Sequence, residues 1–453
     1  MTPRTRIIRE LNLNPEDKAR LDSVRSRLAG FCPFQIYGRV AQVVGLVIEG
    51  KGPVASVGDA AAICPADGRP HINAEVVGFR EGKTLLMPLG ELRGVGVGCK
   101  IVSKKSAVNM GVGTGLLGRV IDGLGNPIDG KGELVTNEHV PIYRDTVNPL
   151  RKKRITQPLD LGIRSFNGLL TCGKGQRMGI FAGSGVGKSV LLGMIARHTE
   201  ANVNVIGLIG ERGREVREFL ERDLGEGLEH SVVIVATSDQ PPLIRVRAAF
   251  LTVAVAEYFR DTGADVLLLM DSLTRFAMAQ REVGLAIGEP PTTKGYTPSV
   301  FSLLTKLLER AGNGEGDGTM TGIYAVLVEG DDMDEPIADA SRAVLDGHVV
   351  LSRKLADGNQ YPPVDVLRSV SRTMKDIVPP EQAQLANRIT EILSEYERAE
   401  DLINIGAYSP GSNKRIDYAI SMMDRVKAFL CQGVDERVTL EKSLDSMKLL
   451  FYA

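Results

Sequence analysis

The stretch RMGIFAGSGVGKSVLLGMIARH, residues 177–198, decides the fold. An apolar strand pattern runs into AGSGVGKS, residues 182–189, and a helical pattern follows at once. A polyphosphate needs several convergent donors with no side chains in the way. Gly183, Gly185 and Gly187 let backbone N–H groups turn inward, and the following helix presents its positive end. Lys188 can reach the outer phosphates as a point charge, and the Ser189 hydroxyl can ligate the magnesium that travels with ATP. Ala182 stands where the strict pattern has Gly, a small departure. Position matters as much as spelling, because a chance turn lacks the strand before it and the helix after it.

Working outward, strands alternate with helices from about residue 173 to residue 372. RMGIFAG, VNVIGLIG, SVVIVATS, DVLLLMD, GIYAVLVEG and GHVVLS are apolar nearly throughout, as a parallel sheet covered on both faces requires. Long helical patterns, PLIRVRAAFLTVAVAEYFRDTG and SVFSLLTKLLERAG, lie between them. Two of these strands end in acids. Asp271 closes VLLLMDS at the edge where open α/β sheets bind ligands, and is the candidate to hold a magnesium-bound water. Glu211, just past VNVIGLIG, is the candidate to orient or deprotonate a lytic water, with Arg212 near the terminal phosphate. Taken singly, Asp271 also reads as a helix cap and Glu211 as a helix-start charge.

A chain of 453 residues exceeds the roughly 250 to 300 at which one hydrophobic core stops growing, so several packed units are expected. With 55 Lys+Arg against 56 Asp+Glu, no global positive field draws the chain onto nucleic acid or anionic membranes. Its five cysteines show no CxxC spacing, which fits neither a disulfide framework nor a zinc site and suits a reducing cytoplasm. The five histidines are scattered without metal-ligand spacing, and Asp331 and Asp332 read as a polar turn near the active edge with no catalytic part. The start, with acids and prolines where a signal peptide needs an apolar core, does not read as one, and no run of 18 apolar residues occurs.

Four units are expected. Residues 1–30 carry seven basic and four acidic residues in two short amphipathic pieces, a frayed terminus or a docking helix for a partner. Residues 31–105 hold short apolar runs broken by Gly, Pro and Asp, the pattern of a small β-barrel. The ATP-binding unit, 106–380, opens with a Gly-rich link over 111–132. Residues 381–453 are almost wholly helical, a separate C-terminal domain.

Over residues 111 to 380 the chain resembles the catalytic fold shared by rotary ATP synthase subunits and type III protein-export ATPases. TCGKGQRMGIFAGSGVGKSVLLGMIAR, GERGREVREF, GEPPTTKGYTPSVFSLLTKLLERAG and EGDDMDEPIADASRAVLDGHVVLSR look like the export branch, and EGDDMDEPIAD is most similar to its flagellar members. The resemblance implies an α/β fold: a RecA-like P-loop domain with a parallel sheet, preceded by a β-barrel and followed by a helical domain. It implies ATP and Mg2+ as cofactors, with nucleotide contacts from Gly183, Ser184, Gly185, Val186, Gly187, Lys188, Ser189 and Val190, and Tyr361 stacking on adenine.

Within PPVDVLRSVSR, residues 362–372, the resemblance makes Arg372 an arginine finger that enters a neighbouring subunit's site in a homohexameric ring. It further implies a barrel that links copies into a crown, and a helical domain facing export substrates and chaperones. A stator-like regulator would sit on the N-terminal segment, and a membrane export gate would receive unfolded flagellar subunits. The protein would be cytoplasmic and peripheral to the inner membrane. An injectisome export ATPase is the nearest alternative. A hexameric nucleic-acid motor would need stacking platforms and basic grooves, and the chain has no Trp and 5% aromatics. A noncatalytic ring subunit would place Gln where Glu211 stands.

Overall fold

A computed structural model describes residues 36–104 and 109–452, with Asp17, Arg20, Leu21, Ser23 and Val24 besides. Apart from those five, the segment 1–30 and Cys32 lie outside the described residues, and with them the docking helix expected there.

Short strands separated by Gly, Pro and Asp turns close the first unit into a barrel. Tyr37–Val44, Val47–Lys51, Lys83–Pro88, Ile72–Arg80, Ala60–Cys64 and Lys100–Ser103 follow one another around the wall, and the last pairs with the first. Alternate residues point inward, so Val40, Ile48, Ile63, Val76, Leu86 and Ile101 fill the interior. Each such side chain contributes about 1.5–3 kcal/mol by leaving water. Val47, Leu85 and Met87 face the other way and pack on Leu243 and Val283, seating the barrel on two helices of the central domain.

The central sheet has eight strands in the order Val364–Ser371, Gly347–Leu351, Arg177–Ala182, Thr319–Leu327, Asp265–Asp271, Val203–Ile209, Ser231–Ala236, Arg119–Asp122. Val203–Ile209 is buried at every residue, as a strand sandwiched between helices must be. Helices Pro242–Asp261, Leu273–Ile287 and Pro298–Glu309 cover one face. Lys188–His198 and the C-terminal helices Pro380–Asn404, Lys414–Leu430 and Leu440–Tyr452 pack on the other. Among the described residues no helix is long and apolar enough to cross a membrane.

Two strands depart from the sequence reading. Within the segment read as a link, Arg119–Asp122 adds a strand to the sheet by pairing in parallel with Ser231–Ala236. Arg119 is buried there and bidentate to Asp129 at 2.7 and 3.0 Å, so an internal ion pair replaces the apolar run that would have announced a strand. Val364–Ser371 runs antiparallel to Gly347–Leu351, so the sheet is not purely parallel. The residues 352–363 that join them hold only the five-residue helix Arg353–Asp357, too short to carry the chain back along the sheet as a parallel connection requires.

Candidate nucleotide-hydrolysis site

Because the parallel strands run the same way, Ala182, Ile209 and Asp271 finish at one edge, and the chain turns there three times. After Ala182, Gly185 and Gly187 adopt φ of 78° and 95°, a region that side chains disfavour. Gly183 is needed for closeness instead, since a Cβ there would stand 2.5 Å from Asp331 Oδ1. Val186 is buried and pins the loop to the core, Ser184 and Ser189 are exposed, and Val190 is half-buried. Lys188–His198 begins without a side-chain cap, which leaves its first N–H groups free for an anion.

Lys188, Glu211 and Asp271 come from these three turns and meet. The Lys188 ammonium donates to Asp271 Oδ1 and lies 3.9 Å from Glu211 Oε1, with all three side chains largely buried. Burial, and then the Asp271 carboxylate, push Glu211 up to about 7, while Lys188 opposes the shift. Glu215 hydrogen-bonds to Glu211, which holds Glu215 below the ordinary range. One ammonium thus serves two carboxylates, an excess of negative charge that suits a cation-bearing substrate. The Asp271 carboxylate and Ser189 hydroxyl are hard oxygen donors at that edge, the donor chemistry that fits magnesium.

The other candidates separate into two groups. Tyr361 is beside the loop: its Cε1 is 3.9 Å from where a Gly187 Cβ would be, and its carbonyl accepts the Gln432 N–H at 2.9 Å. Arg212 and Arg372 do not join the trio. Arg212 is 77% exposed and lies 3.6 Å from Glu215. Arg372 follows Ser371, which pairs with Gly347 and so aligns with Met178, four residues before the loop strand ends. At about 3.3 Å per residue, that is roughly 13 Å down the sheet from the phosphate edge. Its Nη2 donates to the Arg342 carbonyl at 3.3 Å.

Two residues near the loop were missed by sequence reasoning. Arg275 packs its side chain against Gly210, and its buried Nε has no hydrogen-bond partner among the described residues. Its place in the first turn of the helix after Asp271 was the available signal. Arg353 donates to the Ser184 carbonyl at 3.0 Å. Asp331, read as a polar turn, does lie at the active edge, against Gly183.

A glycine-lined loop feeding an uncapped helix, with two acids brought in from neighbouring strand ends, defines a P-loop nucleotide-binding class. The ATP synthase alpha/beta family, nucleotide-binding domain, matches residues 162–371, and the T3SS EscN ATPase C-terminal domain matches residues 378–449. The chain is 53% identical to the flagellum-specific ATP synthase of Bacillus subtilis (strain 168), covering 92% of this chain and 95% of that one. It is 49% identical to the type 3 secretion system ATPase of Xanthomonas euvesicatoria, covering 90% and 92%. Among solved structures, the assembled ATPase EscN of the enteropathogenic E. coli type III secretion system superposes with a TM-score of 0.86 at 42% identity, covering 91% and 99%. EscN in complex with its central stalk EscO gives 0.84 at 41% identity, with the same coverage. The chain belongs to the family of flagellum-specific ATP synthases and type III secretion ATPases, and it is an ATP hydrolase.

Proposed function

We propose that this chain hydrolyses Mg·ATP at sites shared between copies of a homohexameric ring, and so energises export of flagellar proteins through a type III apparatus. The observation that carries it is the meeting of Lys188, Glu211 and Asp271 from three distant segments on one buried spot. Backbone N–H groups of residues 183–190 cradle the phosphates, and Lys188 exchanges a carboxylate for the outer phosphate oxygens. Ser189 and Asp271 would hold magnesium, which when bound neutralises phosphate charge. Glu211 aims a water and accepts its proton, and Tyr361 offers its ring to adenine. Arg212 reaches the terminal phosphate only by leaving Glu215.

Arg372 serves the site of a neighbouring copy, and its place far down the sheet from its own loop supports this. An arginine finger is worth about 10³–10⁵ in rate. The units 31–105, 106–380 and 381–453 would link copies, hydrolyse ATP, and meet export substrates, chaperones and the membrane gate. The segment 1–30 would take the stator-like regulator, with the ring cytoplasmic and held at the inner membrane. The similarity to EscN favours an injectisome role as the second reading, and complementation of a flagellar-export deletion separates the two.

Mixing Lys188→Ala protein with Arg372→Ala protein tests the shared site. Mixed rings contain intact composite sites, so activity returns above that of either variant alone. No recovery despite demonstrated co-assembly sinks the finger in trans.

A further inference from the structure

We propose that Arg353 and Asp331 form a brace on the outer side of the phosphate-binding loop, a positioning pair that presets one of the loop's N–H donors before nucleotide arrives. The proposal rests on reading residues 183–190 as the nucleotide cradle. Arg353 opens the short helix Arg353–Asp357, directly after the strand whose Leu351 pairs with Ala182. That register brings its guanidinium alongside the loop. Nη2 donates to the Ser184 carbonyl at 3.0 Å, and Nε lies 3.8 Å from Asp331 Oδ2. The two side chains press on Gly183, where a Cβ would stand 2.5 Å from Asp331 Oδ1 and 3.0 Å from Arg353 Nη2. They line a cavity of about 200 Å³ together with Gly183, Ser352, Asp365 and Arg368.

The consequence follows from peptide geometry. In a planar trans peptide the carbonyl and the following N–H point in opposite directions. Holding the Ser184 oxygen outward therefore turns the Gly185 N–H inward, toward the phosphates. Gly185, at φ 78°, has no side chain to hold that orientation by itself. Without the brace the peptide can flip, and ATP binding must then order it, which weakens binding of substrate and transition state alike. Asp331 in turn belongs to the loop of Asp332, which lies 3.7 Å from Lys294, so the brace ties the loop strand to a second exposed turn.

The test compares KM, kcat and melting temperature of the full chain with those of Arg353→Ala, Arg353→Lys and Asp331→Asn, with Lys188→Ala as reference. Arg353→Ala is expected to raise KM for Mg·ATP about tenfold, equivalent to about 1.4 kcal/mol. Its kcat should change by less than about threefold, the signature of lost uniform binding. The melting temperature stays at the parent value because both side chains are half-exposed. Arg353→Lys recovers part of the KM by keeping a donor, and Asp331→Asn gives a smaller rise. An unchanged KM in Arg353→Ala, or a rise matched by a lower melting temperature, overturns the brace. Undiminished hydrolysis by Lys188→Ala instead overturns the cradle on which it rests.

Discussion

Two buried ion clusters lie in the same central domain and are built to opposite ends. Arg310 meets Glu257 with Nε at 2.9 Å and Nη2 at 2.7 Å from the two carboxylate oxygens, and gives Nη1 to the Ile142 carbonyl at 2.7 Å. Both side chains are nearly sealed, at 1% and 5% exposure. One cation there satisfies one anion and a carbonyl, with little left for a ligand. At the phosphate edge, Lys188 is a single cation between Asp271 and Glu211, and Glu211 shares a hydrogen bond with a third acid, Glu215. A structural pair closes its charge account, whereas the cluster proposed for catalysis leaves charge unbalanced until substrate comes.

Glu211→Gln presses hardest on this contrast. It removes the carboxylate proposed to activate water and leaves Lys188 with Asp271, so turnover should fall about 10²–10⁴-fold while ATP still binds. Hydrolysis at the parental rate, measured by phosphate release, would erase the distinction. Glu257→Gln should do the reverse: unfolding free energy drops by about 3–5 kcal/mol, read from denaturant melts, because a buried guanidinium loses its counter-charge. Turnover per folded molecule should persist; a loss of activity without a loss of stability would show that this pair reaches the active site.

Glu75 sharpens the contrast as an intermediate case and carries the smallest effect. It is 6% exposed on a barrel strand, and its Oε2 has no hydrogen-bond partner among the described residues. Burial pushes it up to about 7, with Arg247 opposing. The folded protein therefore keeps that proton between 4.5, the ordinary value, and about 7, where the unfolded chain has released it. Stability should fall as pH rises through this window and level off above it. Glu75→Gln should flatten that part of the melting-temperature profile; an unaltered slope would place the titration elsewhere.

The phosphate loop, Glu211 and Asp271 were legible in sequence because each follows a long apolar strand. Burial on both faces writes itself into such runs, and the acid at the end marks the edge. The barrel showed through its spaced turns. Arg119–Asp122 was hidden because four residues with a buried arginine carry no periodic signal, and pairing with a distant strand makes it a strand. Arg353 was hidden for a related reason: it lies about 170 residues from Ser184, and only the pairing of Leu351 with Ala182 brings them together. Arg372 and Tyr361 drew their readings from family likeness, since nothing in local pattern distinguishes a finger from a surface charge.

Six strands joined first to last leave the barrel wall without an open rim. A passing extended polypeptide finds no ladder there to extend. For a machine whose proposed clients travel unfolded, that closure gives the barrel a non-stick wall, one that offers cargo no backbone to grip.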